Sequence, residues 1–362
     1  MLRLVLAFPA AILGLALVLP ALLLLLPFGL LWAITHLFAR LVEPAVTGGP
    51  VGEDLIEYDP ELGWRPGRNL DTHYLVRRDD VYPVVTDSEG WPGRQSLEES
   101  EVVAVGDSFV TGYGARKGEA FWERISRFPI KTVGSPGYGM TQELEVIRHL
   151  GERLAGKLVF WLVYLENDIP DAMRPHWRGY RKPFVRYSPQ SKEWEVVTHH
   201  LREEKWRHSG ERDNMRSFAN LCVPGPFSDL HFSACEFLLG EGAATCRSAG
   251  ADLVVATVPN VNQLSHQGHR FLSGMAEDPQ AFDPDYPDLR LGESCARLGV
   301  PFLPMKGFLE ASDYKRLEKF HWSPRGHRKV AGQIERIHDT WRSGRLGERL
   351  PSPTRSGQQV SA

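Results

Sequence analysis

Five short apolar runs, at residues 101–105, 130–133, 157–163, 252–257 and 300–303, alternate with stretches of helical periodicity near 109–127, 141–154, 234–249, 287–298 and 324–342. The runs have strand length, and each is followed by a segment too long for a hairpin turn. Strands joined by helical crossovers pair in parallel, and a parallel sheet is stable only when helices cover both of its faces. The predicted fold class is therefore α/β, with a parallel five-stranded sheet between helical layers. Ligands in such folds bind beyond the C-terminal ends of the strands. The residues that directly follow the apolar runs are the first place to look for chemistry.

Residues 101–112 read Glu-Val-Val-Ala-Val-Gly-Asp-Ser-Phe-Val-Thr-Gly. An apolar strand ends in a Gly-Asp-Ser turn that enters a helical stretch, which places Ser108 at a strand end and a helix start. Free backbone N–H groups and the positive end of the helix dipole favour a developing negative charge there. A serine nucleophile needs that setting together with a base, because its hydroxyl is unreactive alone. A plain turn with a Ser or Asp cap has the same local sequence. Three further segments decide between the two. Residues 132–142 read Thr-Val-Gly-Ser-Pro-Gly-Tyr-Gly-Met-Thr-Gln, residues 158–168 read Leu-Val-Phe-Trp-Leu-Val-Tyr-Leu-Glu-Asn-Asp, and residues 318–327 read Glu-Lys-Phe-His-Trp-Ser-Pro-Arg-Gly-His. Ser108, Gly137 and Asn167 each follow a candidate strand, so three segments converge on one sheet edge.

In this order and spacing, residues 99–342 resemble the SGNH (GDSL-type) hydrolases. The resemblance implies a three-layer, flavodoxin-like α/β/α sandwich and a serine esterase. Carried over position by position, Ser108 is the nucleophile, His321 the general base and Glu318 the acid that orients it. The oxyanion hole is formed by Ser108, Gly137 and Asn167. The chain departs from the family pattern at three positions. The family acid is usually Asp where this chain has Glu318, one methylene longer. Gly often stands two residues before the Asn, where this chain has Leu165, and Asn usually stands where it has Thr132. None of these changes removes a reacting group. Asp107 and Asp168 adjoin the site and are read as structural, bonding loop N–H groups. His327, inside the last helical stretch, is read as packing or capping. Ser323-Pro324 reads as an N-cap followed by Pro at the first helical position.

The chain has 362 residues and a net charge of −3, which gives no electrostatic case for nucleic-acid binding. Residues 4–35 carry no charged side chain. As one helix the run Leu4–Phe38 would be about 52 Å long, against about 30 Å for a hydrocarbon core. It exceeds the apolar region of a cleavable signal, so residues 1–42 are expected to be a transmembrane anchor. Pro9, Pro20 and Pro27 allow one kinked span or a hairpin of two. Flanking charge from Arg3 and Arg40 hardly discriminates orientation. The expectation is one span with the catalytic part outside the cytoplasm, in the periplasm. Cys222, Cys235, Cys246 and Cys295 are even in number, which permits disulfides there or four buried thiols. No Cys-x-x-Cys pair or His cluster suggests a metal, and no cofactor is expected.

Residues 43–98 are expected to form a linker and a small β-rich pre-domain, with Trp64 and Trp91 packing it onto the main domain. Residues 171–220 interrupt the alternation with eleven Lys/Arg, seven Asp/Glu and seven aromatic residues. They read equally well as a cap over the site and as a solvated insertion. Residues 343–362 have the composition of a disordered tail. Three functions remain open: an esterase acting on a cell-envelope glycan or lipid ester, such as an O-acetyl group; an O-acyltransferase using the same residues on a polysaccharide; and a non-catalytic glycan-binding module. Retention of Ser108, Gly137, Asn167 and His321 together argues against the last.

Overall fold

The computed structural model describes residues 55–77, 80–177, 180–198, 211–315 and 321–346. The expected anchor at 1–42, the acid Glu318 and the tail beyond residue 346 lie outside the described residues. Among the described residues no helix is long and apolar enough to cross a membrane. The described residues cluster as one unit, 55–73 with 82–346, and a small second one, 74–77 with 80–81. The second unit contributes only parts of the strands Asp71–Arg77 and Asp80–Val85.

Five parallel strands form the centre of the larger unit: β1 (Val102–Gly106), β2 (Ile130–Gly134), β3 (Leu158–Tyr164), β4 (Asp252–Val258) and β5 (Phe302–Pro304). They lie in the order β5-β4-β3-β1-β2, all in parallel register. That is the flavodoxin-type order, with the strand direction of winding reversing between β1 and β3. The helices are α1 (Ser108–Thr111), α2 (Phe121–Arg124), α3 (Met140–Leu150), α4 (Asp168–Ala172), α5 (Glu211–Leu221), α6 (Pro226–Ala249), α7 (His266–Ser273), α8 (Tyr286–Leu298) and α9 (Pro324–Arg342).

The three layers follow from the period-two geometry of a strand. Every residue of β3 is buried. Val159, Trp161 and Val163 enter one core with α3, α6 and α8, whereas Leu158, Phe160, Leu162 and Tyr164 enter another with α1, α2 and α9. An unbroken apolar run is what a strand covered on both faces requires.

The single helical stretch expected at 109–127 is two short helices instead. Gly112, Gly114 and Gly118 all have positive φ, a region that ends helices and that side chains disfavour. The four cysteines are free thiols and buried, so the pairing the sequence left open is absent. Burial pushes the Cys246 and Cys295 thiols up to about 12, which makes them inert.

Residues 55–98 add two short antiparallel strands, Ile56–Asp59 and Gly63–Pro66. Trp64 and Trp91 are buried. Trp64 donates its indole N–H to Pro136 O at 3.2 Å and accepts from Tyr138 Oη at 2.7 Å through its carbonyl. This segment thus buttresses the loop after β2. The 171–220 region contains the hairpins His176–Trp177/Tyr180–Arg181 and Phe184–Ser188/Glu193–Val197, followed by α5.

Candidate active site

Ser108 opens α1 directly after β1. Asp107 fixes this turn, because its Oδ1 accepts the Phe109 N–H at 2.9 Å. His321 lies on the loop before α9, whose N-cap is Ser323. That loop is tied at both ends. Lys315 N–H donates to His321 O at 3.0 Å, Tyr314 and Trp322 form an antiparallel bridge, and Ser323 donates its N–H and its hydroxyl to Asp313 O at 2.7 and 2.9 Å. The imidazole packs against two aromatic rings, Tyr113 at 4.8 Å and Phe109 at 5.1 Å between centroids. Held this way, His321 Nε2 is 2.9 Å from Ser108 Oγ. A second acceptor, Asp107 Oδ2, lies 3.2 Å from the same hydroxyl. The hydroxyl proton can go to only one of them at a time, and the shorter contact is to the imidazole.

Gly137 lies in the loop between β2 and α3 with φ of +81°. A Cβ there would come within 2.3 Å of Trp177 Cζ2, so both the backbone and the packed indole require glycine. Trp177 is stacked in turn on Trp64, 5.1 Å between centroids. Asn167 ends the β3 segment. Its side chain makes no hydrogen bond that caps α4. Its Nδ2 instead points inward, 3.3 Å from Tyr138 O and 3.5 Å from Asp107 Oδ2. Bonds of that length are weak and cost little to exchange for a better acceptor. Ser108, Asn167 and the loop of Gly137 are thus joined through Asp107 and Tyr138.

The position of Glu318 lies outside the described residues. The nearby Asp313 is described, and its buried carboxylate is committed elsewhere. It pairs with Lys329 and Arg325 of α9, each at 2.7 Å. Burial opposes its ionisation, yet the Lys329 hydrogen bond, the Glu310 N–H and the charges of Lys329 and Arg325 hold it below the usual carboxylate range. His327 is buried, packs against Phe121 and Trp322, and accepts the Phe121 N–H through Nδ1 at 3.3 Å. Burial pushes its pKa down to about 3, so it is a neutral packing residue.

Behind the Gly137 and Asn167 loops lies a buried polar cluster of which sequence reasoning singled out only Asp168, as a structural residue. Glu143 of α3 and Asp168 of α4 are fully buried, with Asp171 and Lys182 beside them. Trp161 Nε1 donates to Glu143 at 2.7 Å and Tyr164 N–H to Asp168 at 2.5 Å. Burial pushes the Glu143 carboxyl up to about 8 and Asp168 well above the carboxylate range. An acidic residue in the first turn of a helix ordinarily reads as a solvated partner of the helix dipole, which is why Glu143 carried no signal. Among the described residues no group of His, Cys, Asp and Glu could hold a metal ion.

No protein-family model matches the chain, and no curated protein does. Solved structures are similar to it at low identity. The psychrotrophic esterase EstA from Pseudoalteromonas is 11% identical with a TM-score of 0.37, over 67% of this chain and 98% of EstA. Phospholipase A1 from Streptomyces albidoflavus is 13% identical with a TM-score of 0.36, over 67% of this chain and 99% of the phospholipase. TesA is 10% identical with a TM-score of 0.36, over 65% of this chain and 96% of its own.

Proposed function

We propose that this chain is a serine esterase of the SGNH type. The observation that carries this reading is the 2.9 Å contact between Ser108 Oγ and His321 Nε2, made by residues more than two hundred positions apart at the C-terminal edge of the sheet. His321 takes the Ser108 proton as Oγ attacks an ester carbonyl, and returns it to the leaving alcohol. The backbone N–H groups of Ser108 and Gly137 and the Asn167 amide receive the oxyanion. For Asn167 this means exchanging its two long inward contacts for a short bond to a charged oxygen, a step favoured only in the transition state. Glu318, three residues before His321, is proposed to orient the imidazole. The substrate class is an ester on a cell-envelope glycan or lipid, such as an O-acetyl group. The apolar N-terminus is proposed to anchor the enzyme with its catalytic part outside the cytoplasm.

The test is labelling of the purified chain with a serine-directed fluorophosphonate, followed by acetyl release from envelope polysaccharide. Wild type labels and releases acetate, and Ser108→Ala does neither. Full labelling of Ser108→Ala would remove the nucleophile from this reading.

A further inference from the structure

Besides the Ser108 N–H, the oxyanion hole draws on two segments that have no sequence continuity. Gly137 and Tyr138 lead into α3, and Asn167 leads into α4. The two helices meet at their first turns. A Cβ on Gly139 would lie 3.1 Å from Asp171 Cβ and 3.2 Å from Asp168 O, and Thr141 Oγ1 donates to Ala172 O at 2.9 Å. One turn deeper, where the two helices pack together, the Glu143 and Asp168 carboxyls are both fully buried, and burial and then the nearby Glu143 charge raise the pKa of Asp168. Each has one oxygen satisfied, by Trp161 Nε1 and by the Tyr164 N–H respectively. The other oxygen of each, Glu143 Oε1 and Asp168 Oδ1, is buried without a partner. Two neighbouring buried carboxylates, both ionised, would leave both of these oxygens unsatisfied and set two negative charges against the single positive charge of Lys182. One proton between them supplies the missing bond and removes one charge.

We propose that Glu143 and Asp168 share one proton, and that this bond, beside the Thr141–Ala172 contact, holds the Gly137 and Asn167 segments in register with each other. Both residues are positioning residues, since neither touches the reacting atoms. The charges around the pair fit a single remaining negative charge. Asp107 faces it from the nucleophile turn and Asp171 from α4. Lys182, on the loop after the His176–Arg181 hairpin, faces it as the buried cation, donating to Asp171 O at 2.6 Å. Arg174 engages Asp171 at 2.9 Å. Loss of the shared proton to solvent would leave two carboxylates opposite Lys182 and Asp107, and the α3–α4 contact would open under their repulsion.

The inference rests on the esterase reading for its kinetic consequence, but not for its direct observable. Infrared difference spectroscopy of the full-length chain should show a buried protonated carboxylic acid at neutral pH, in wild type and equally in Ser108→Ala. The band should vanish in Glu143→Gln and in Asp168→Asn, because an amide supplies the missing donor to a carboxylate. In ester hydrolysis, Glu143→Leu should lower kcat about 10²-fold with little change in KM, the signature of a lost transition-state contact. Glu143→Gln should recover most of that loss; wild type is expected to lose kcat in alkali as the pair deprotonates, and Glu143→Gln to keep only the part due to Lys182, whose pKa burial lowers to about 8. No protonated-acid band in wild type at neutral pH would overturn the proposal. So would a Glu143→Gln variant as slow as Glu143→Leu. An active Ser108→Ala variant that keeps the band would instead overturn the esterase reading alone.

Discussion

The two faces of the sheet bring their residues to the candidate site by different physics. The face covered by α1, α2 and α9 supplies Ser108 and His321 through apolar packing. The imidazole is set by Phe109 and Tyr113, and the helix behind it by Trp322, Phe121 and the neutral His327. The face covered by α3, α6 and α8 supplies Gly137 and Asn167 through buried polar groups: Glu143, Asp168, Asp171 and Lys182. Apolar packing has no group to titrate and holds a ring by close contact with its neighbours. A buried polar network fixes donors in direction but depends on protonation state. The apolar packing that holds the His321 ring should therefore keep its geometry through changes of pH that loosen the Gly137 and Asn167 loops.

The largest effect sharpens the comparison on the packed side. Ser108→Ala and His321→Ala should each lower kcat for ester hydrolysis by about 10⁴-fold or more, and the double variant should be hardly slower than either. Steady-state kinetics on the three variants measure this. Additive losses would mean that the 2.9 Å contact is not a working unit.

Next in size is Gly137→Ala on the other side. The added methyl group meets Trp177 and the residue must keep a φ of +81°. The backbone strain costs about 1–3 kcal/mol, and displacement of the N–H should lower kcat about 10³-fold. Adding Trp177→Ala relieves the clash but not the φ. The double variant should recover part of the stability and little of the rate. Full recovery of kcat would show that Trp177, not the backbone conformation, decides the position of this donor.

Asn167→Ala should lower kcat by about 10²-fold with KM nearly constant. Loss of a helix cap would instead cost about 1 kcal/mol of stability and leave turnover intact. Both quantities can be read on one purified variant. A destabilised enzyme with normal turnover would refute the oxyanion role.

How much of this was legible in the chain follows the same division. β1 to β4 fall within about a residue of the apolar runs, because a strand buried on both faces is an unbroken apolar run. α9 begins at Pro324 and ends at Arg342 as its cap and periodicity imply. The stretch 109–127 misled because helical periodicity around its apolar residues persisted through Gly112, Gly114 and Gly118, and the positive φ those glycines adopt is a tertiary outcome. The residues proposed for the reaction were legible because chemistry restricts residue type at a strand end. Their supports were not. Trp177 over Gly137 joins a hairpin of the 171–220 region to the site, and Glu143 is one acidic residue among many until burial makes it exceptional.

The smallest effect on turnover tests which acid serves His321. Asp313 lies near the base in sequence, but its carboxylate is buried against Lys329 and Arg325. Its folded-state pKa is depressed, so its stabilising contribution is present above the unfolded carboxylate pKa and is lost as pH falls through the folded value. Asp313→Asn should therefore lower the unfolding temperature at neutral pH. The difference from wild type should shrink in acid, below the ordinary carboxylate range near 4, where both chains lack the charge. Its kcat should stay within about twofold of wild type, since a lost ion pair behind α9 leaves the rings that hold His321 in place. Glu318→Gln should show the opposite pattern: kcat falls by about tenfold or more, since an amide orients but does not stabilise the imidazolium, while stability changes little. Thermal unfolding across pH and kcat for both variants decide between them. If Asp313→Asn proved the slower enzyme at unchanged stability, the acid of the site would be Asp313, and the ion pairs with α9 would have to break on substrate binding.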